Sequence, residues 1–223
     1  LLVEMFVQHP EFMYRLEVGE TNQLQPNIRE LTNYEVATRM SYLIWGSAPD
    51  DTLLDEAELG HLKDESYRMA QADRMLASNK AQAQWDDFHA QWMGYSDSDF
   101  PAAVKADLFS ESNALINKVV FTTDSDWMDI FRSNETYLTP NLATHYGMPA
   151  MATAAWVQYP IERGGGMLSH GTLMSIGAKF GDTSPTRRGY EIYKRLMCGK
   201  IPPVPADIDV DAPPGLPTDC KVK

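Results

Sequence analysis

The segment Arg163-Gly164-Gly165-Gly166-Met167-Leu168-Ser169-His170-Gly171-Thr172 sets glycines ahead of an apolar stretch, the arrangement from which phosphate cradles are built. The spacing from Gly166 to Gly171 mimics a P-loop, but the lysine that must follow is missing and nothing would reach the β- and γ-phosphates. A tight structural turn is therefore the better reading. Within it His170 is the histidine placed to serve as a ligand or an acid. The other four, His9, His61, His89 and His145, are scattered and form no HExxH or comparable pair, so no metal site is expected. His89 lies three residues after Asp86 on one helix face, which reads as a surface ion pair.

Farther on, Thr183-Ser184-Pro185-Thr186-Arg187-Arg188-Gly189 places two arginines in a first helical turn, against the helix dipole. Arg187 and Arg188, with Arg163 and His170, therefore form the expected anion or partner site; arginines so placed need carboxylates or an anion. Asp207, Asp209 and Asp211 alternate like the opening of a calcium loop, yet Ala212 stands where glycine is needed and Thr218 where a bidentate glutamate is needed. A solvated acidic linker explains them better. Asn134-Glu135-Thr136 is a glycosylation sequon, relevant only in a eukaryotic secretory pathway. No Gly-x-Ser-x-Gly elbow occurs, neither Cys198 nor Cys220 has an evident histidine partner, and no carboxylate pair can be singled out as catalytic. The two cysteines flank a proline-rich stretch and read as a disulfide or as two unrelated thiols.

The elements around these residues are helical. Thr32-Asn33-Tyr34-Glu35 is a capping box, followed by Val36, Met40, Leu43 and Ile44 at helical spacing and by Gly46 as a stop. Ser47 to Asp51 starts another helix with Pro49 in its first turn, and Gly60 closes it. Further helices are predicted over 64–77, 101–121, 127–131, 138–147, 167–178 and 187–197, with a short strand at 156–159. Trp85, Phe88 and Trp92 fall at i, i+3 and i+7 and read as a core stripe. His9-Pro10 breaks the first helix, which carries Leu1, Leu2, Met5 and Phe6 on one face.

The fold class read from this pattern is an all-α multi-helix bundle with an irregular Gly/Pro-rich segment and an extended proline-rich C-terminal tail. Three parts are expected: a helical domain over 1–147, a glycine-rich turn with two helices on the same core over 148–198, and a linker over 199–223. The 223 residues, 43% hydrophobic, suffice for a sizeable core. A formal net charge of −12 argues against nucleic acid, which is bound through Lys and Arg contacts to phosphate. No stretch approaches the roughly 18 to 20 apolar residues that span a bilayer. The chain opens inside a helix and stops abruptly, so both ends are expected to continue in a longer protein.

Phe12-Met13-Tyr14-Arg15-Leu16-Glu17, the run from Leu31 to Gly46, and Ala48-Pro49-Asp50-Asp51 resemble the large planctomycete-type proteins built from domains of unknown function associated with cytochrome c. Gln91-Trp92, Tyr146-Gly147, Gly165 to Leu168, Thr183 to Gly189, Cys198 and Pro202-Pro203 extend the resemblance over nearly the whole chain. It implies a Gram-negative-type bacterial source, export to the periplasm or cell surface, and a downstream CxxCH module carrying c-type haem. No cofactor is expected within this chain. An oxidising compartment, implied in the same way, favours a Cys198–Cys220 disulfide that pins the tail to the last helix. The resemblance supplies no reaction. The expected function is an extracytoplasmic scaffold or redox-accessory domain whose partner is a cytochrome c-like module or an envelope protein. Competing expectations are an extracellular carboxylate-dependent hydrolase and a subunit of a cell-envelope assembly.

Overall fold

The structure, a computed structural model, describes residues 2–22, 25, 27–96, 98, 100–123, 125–160, 164–176, 178 and 184–202. Helix α1 (Leu2–Gln8) ends where Pro10 opens the single turn α2 (Pro10–Met13). Neither turns a face to a core: Leu2, Met5, Phe6, Phe12 and Met13 are all exposed. Two-residue strands β1 (Glu20–Thr21) and β2 (Arg29–Glu30) pair antiparallel.

This arm is fastened to helix α3 (Asn33–Trp45) through Glu35 and Arg39. Glu35 completes the capping box with Thr32 and also accepts the amides of Val18 (2.6 Å) and Gly19 (2.9 Å). The Gly19 amide first, then that of Thr32, hold its carboxyl down at about 2, because each donor favours the charged form. Arg39 adds a two-pronged bond to Glu17 at 3.0 and 2.7 Å.

Gly46 ends α3 in the left-handed conformation with φ +64°. Helix α4 (Asp51–Glu58) is capped by Asp50, so Pro49 lies ahead of the helix and not in its first turn. The same Asp50 receives both terminal nitrogens of Arg74 at 2.7 and 3.0 Å, which lowers its pKa. A 3-10 turn (His61–Lys63), α5 (Glu65–Leu76) and α6 (Asn79–Met93) follow. Ala37, Trp45, Leu53, Ala57, Leu62, Met75 and Ala81 make one core, within which the Trp45 indole donates to the Met75 carbonyl (2.9 Å).

The second core gathers Met93, Leu108, Leu115, Ile116, Ile130, Leu138, Leu142, Met167 and Leu173. It is built by α7 (Lys105–Asn117), a π-helical turn (Lys118–Thr122), α8 (Asp129–Arg132), β3 (Glu135–Leu138), α9 (Pro140–His145), β4 (Ala155–Gln158), a 3-10 turn (Met167–Ser169) and α10 (Gly171–Met174). Strands β3 and β4 pair antiparallel, with Glu135 opposite Gln158 and Leu138 opposite Ala155. Thr136 and Leu138 alternate inward. Helix α11 (Pro185–Arg195) closes the described chain.

The mostly helical, multi-helix fold is the one expected, with two small sheets added. Three elements differ from expectation. The helix foreseen over 101–121 begins only at Lys105 and passes into the π turn, and the one foreseen over 167–178 is two short pieces. The aromatic stripe of α6 is not its core face: Phe88 is 48% exposed and Trp85 and Trp92 are half-buried. The buried face carries Ala81, His89, Ala90 and Met93, since small side chains let neighbouring helices approach while the large rings flank the contact. The proline-rich tail from residue 203 lies outside the described residues. Among those described, no helix is long and apolar enough to cross a membrane.

Candidate functional site

Among the described residues, a dense buried polar cluster centres on Glu111. On α7, Leu108 and Leu115 face the core one heptad apart, and Glu111 and Ser112 occupy the positions between them on the same face. The Glu111 side chain has no solvent exposure. Its Oε1 accepts the hydroxyls of Thr136 (2.6 Å) and Tyr159 (2.6 Å), and its Oε2 accepts that of Tyr146 (2.5 Å). Sheet pairing sets the first two: Thr136 points inward from β3, and Tyr159 follows β4, its amide bonded to the Asn134 carbonyl (2.8 Å). Tyr146 is placed by α9, whose Thr139 cap and Pro140 start fix where it ends.

From this centre the network reaches the glycine-rich turn. The Tyr146 oxygen accepts the Gly171 amide at 2.8 Å. Ser112 Oγ lies 3.2 Å from His170 Nδ1 and 2.7 Å from Thr172 Oγ1, with His170 and Thr172 fully buried. A Cβ on Gly171 would stand 2.3 Å from a Leu108 methyl and 2.6 Å from the Tyr146 oxygen, so only glycine fits. Burial, with the Glu111 charge adding to it, pushes the Tyr146 hydroxyl well above its ordinary range and keeps it a donor. Such a buried network holds chain segments together.

The glycine-rich turn is structural. Gly166 has φ +69°, donates to the Ser133 carbonyl, and faces the Phe131 carbonyl so closely that a Cβ would lie 2.4 Å from it. Of the expected anion site, His170 is buried inside the Glu111 network, and Arg163 lies outside the described residues. Arg187 is exposed on α11, while Arg188 donates to the Met174 carbonyl at 3.1 Å, at the carboxyl end of α10. Arg195 does the same for α6, donating to Gln91 and Trp92 carbonyls at 3.1 and 3.3 Å. The arginine that its own helix disfavours thus serves the negative end of another. Cys198 is exposed just after α11; Cys220, Asp207, Asp209 and Asp211 lie outside the described residues.

His89 does not pair with Asp86. Its ring is buried, and the Trp127 indole, which can only donate, gives its proton to Nε2 at 3.0 Å. Nδ1 therefore carries the ring proton and donates to the Trp85 carbonyl at 2.7 Å. Burial lowers the His89 pKa, so the ring is neutral at pH 7. A cavity of 290 Å³ beside the π turn is lined by Leu115, Lys118, Val119, Asp129 and Arg132 among others. Its cations are already matched, Lys118 with Glu135 and Arg132 with Asp126 and Asp129. Among the described residues no group of three or more His, Cys, Asp or Glu is placed to hold a metal.

Residues 31–148 match PSD4, a protein of unknown function (DUF1592). The chain belongs to the DUF1592 family. Residues 163–221 match PSCyt3, a second protein of unknown function (DUF1588), and both names denote planctomycete cytochrome c-type domains. The kinship foreseen from the Leu31–Gly46 run is therefore correct. No curated protein and no solved structure matches the chain. In these terms the Glu111 network is a seam. Glu111, Ser112, Thr136 and Tyr146 belong to the DUF1592 segment, His170, Gly171 and Thr172 to the DUF1588 segment, and Tyr159 to the stretch between.

Proposed function

We propose that this DUF1592 chain is a non-catalytic, redox-accessory scaffold of the periplasm or cell surface that holds a cytochrome c-like module in a fixed place. One observation carries the reading. The buried polar side chains around Glu111 are spent on one another, and Tyr146 and Ser112 of that cluster bond Gly171, His170 and Thr172 of the DUF1588 segment. The family kinship with cytochrome c-type domains supports the redox context. In the same reading, exposed Cys198 bonds to Cys220 and ties the proline-rich tail to the end of α11. Any c-type haem belongs to a neighbouring module.

The test is to isolate the native polypeptide that carries this sequence, stain it for covalent haem after denaturing electrophoresis, and record its visible spectrum. Haem on that polypeptide, or on a protein that stays bound to it, supports the scaffold. A colourless, haem-free preparation contradicts it. Hydrolysis of a polysaccharide panel that disappears in a folded Glu111→Gln variant would favour the hydrolase reading instead.

A second reading, a subunit of a cell-envelope assembly, is favoured by the arm. Leu2, Val3, Met5, Phe6, Phe12, Met13, Tyr14, Leu16 and Val18 are all exposed, an apolar surface of the kind that marks contact with another protein. Chemical cross-linking in intact cells separates the two: cross-links from the arm to an envelope protein support assembly, and cross-links confined to a haem-bearing module support the scaffold alone.

A further inference from the structure

Helix α11 gathers positive charge on a chain that is otherwise strongly acidic. Residues 185–200 hold five cations, Arg187, Arg188, Lys194, Arg195 and Lys200, against one acid, Glu191, in a chain of formal net charge −12. Two of the cations are committed: Arg188 donates to the Met174 carbonyl, and Arg195 to Glu191 and to the last carbonyls of α6. Arg187, Lys194 and Lys200 are exposed and make no ion pair among the described residues. Arg187, Tyr190 and Lys194 fall at i, i+3 and i+7 and so share one stripe, with the Lys194 ammonium 5.7 Å from the Tyr190 ring centre. Tyr193 lies beside them, and the two tyrosines are 40% and 41% exposed.

The chain leaves the helix by turning back onto it. Cys198 adopts the left-handed conformation with φ 51°, and the Gly199 amide donates to the Tyr193 carbonyl at 2.9 Å. A Cβ on Gly199 would stand 2.2 Å from the Tyr193 ring, so the backbone at that point lies flat against the ring. After Pro202 the sequence reads Pro203-Val204-Pro205-Ala206-Asp207-Ile208-Asp209-Val210-Asp211, outside the described residues. The stretch from Pro202 to Asp207 can span up to about 17 Å. Helix α11, eleven residues long, measures about 16 Å, so the acids can reach along it. Asp207, Asp209 and Asp211 alternate; in an extended segment they share one side, with about 13 Å between the first and the last. Arg187 and Lys194 stand about 10 Å apart along the helix axis. Acids and cations therefore match in sign and in span. The DUF1588 match covers residues 163–221 and takes in both the helix and this segment.

We propose that the exposed stripe of α11 formed by Arg187, Tyr190, Tyr193 and Lys194 is the docking surface for the chain's own segment 207–211, held through Asp207, Asp209 and Asp211. Single exposed ion pairs are weak, but a segment tethered a few residues from the helix presents its acids at an effective concentration in the mM range, and several pairs then act together. Contact made by charge is released by salt. The inference goes beyond the scaffold reading: it holds with or without a haem module and with or without a Cys198–Cys220 bond.

The test uses the whole chain with Cys198→Ser and Cys220→Ser, so that a missing disulfide and a missing dock are separate results. A nitroxide attached through Ala212→Cys broadens the amide signals of whatever lies near it. At low salt the amides of Arg187, Tyr190 and Lys194 should lose most of their intensity while those of α4 keep theirs. About 1 M NaCl, where the Debye length is about 3 Å, should restore them. Asp207→Asn, Asp209→Asn and Asp211→Asn together should restore them at low salt as well. Arg187→Glu with Lys194→Glu should do the same, and combining that pair with Asp207→Lys, Asp209→Lys and Asp211→Lys should bring the broadening back. The proposal is overturned if the α11 amides keep full intensity at low salt or if the asparagine variant broadens them as the parent does. It is overturned too if added poly-glutamate perturbs α11 equally with and without the three acids, which would assign the stripe to another acidic protein.

Discussion

Glu111 and Asp86 are both carboxylates withdrawn from water, and the two are served very differently. Glu111, fully buried, receives three hydroxyls at 2.5–2.6 Å from β3, α9 and the end of β4. Asp86, half-buried, receives one amide at 3.2 and 3.4 Å and has a second carboxylate beside it. A buried acid with its lone pairs filled can tie distant segments together; one left short of donors is a liability unless something else supplies positive charge. The contrast separates a structural hub from an under-served acid without reference to sequence motifs.

Removing the hub carboxylate should give the largest effect. Glu111→Ala removes the carboxylate on which three hydroxyls converge and should cost about 3 kcal/mol or more in urea-induced unfolding. A loss below about 1 kcal/mol would place Glu111 on a level with an ordinary surface residue and dissolve the contrast.

Asp86→Asn should act with the opposite sign. The folded protein holds this carboxyl at about 6, above its ordinary value of 3.8. The unfolded chain therefore releases the proton first, and the ionised group lowers stability progressively as pH rises through that interval and fully above it. At pH 8 the variant should be more stable than the wild type by roughly 1–2 kcal/mol, discounted for partial exposure. Below pH 3.8 the difference should vanish. Equal stabilities at pH 8 would show that Asp86 is already satisfied.

His89 provides the smallest and sharpest refinement. Its folded pKa is lowered, so the unfolded chain binds the proton first and stability falls as pH drops below the ordinary value of 6.5. Protonation at Nε2 also removes the acceptor for Trp127. Unfolding midpoints across that range should slope downward towards acid in the wild type and lose that component in His89→Gln. An unchanged slope would place the His89 ring in water.

What the chain spells out locally was legible. The Thr32–Glu35 box, the Gly46 stop and the Thr139-Pro140 start are each set by residues within one turn of one another. Strand β3 was missed because Glu135-Thr136-Tyr137-Leu138 is short and owes its form to β4, some twenty residues onward. The Glu111 hub was missed for the same reason at longer range, its partners lying 25, 35 and 48 residues away. Its one trace was an acid and a serine on the Leu108–Leu115 stripe, where apolar residues belong. His170 stood out by its glycines, yet its surroundings come from Ser112, 58 residues earlier. His89 and Asp86 looked like neighbours on one face, but the nearer influence on the ring is Trp127, on a different part of the chain.

Hydrogen exchange followed by mass spectrometry tests most directly whether the Glu111 network locks the DUF1588 segment to the DUF1592 body. Peptides covering Met167–Ile176 should exchange as slowly as those of α7, and Tyr146→Phe, which removes the acceptor of the Gly171 amide, should speed the former while leaving α3 unchanged. Rapid exchange over Met167–Ile176 in the wild type, indifferent to Tyr146→Phe, would show two segments that merely lie side by side.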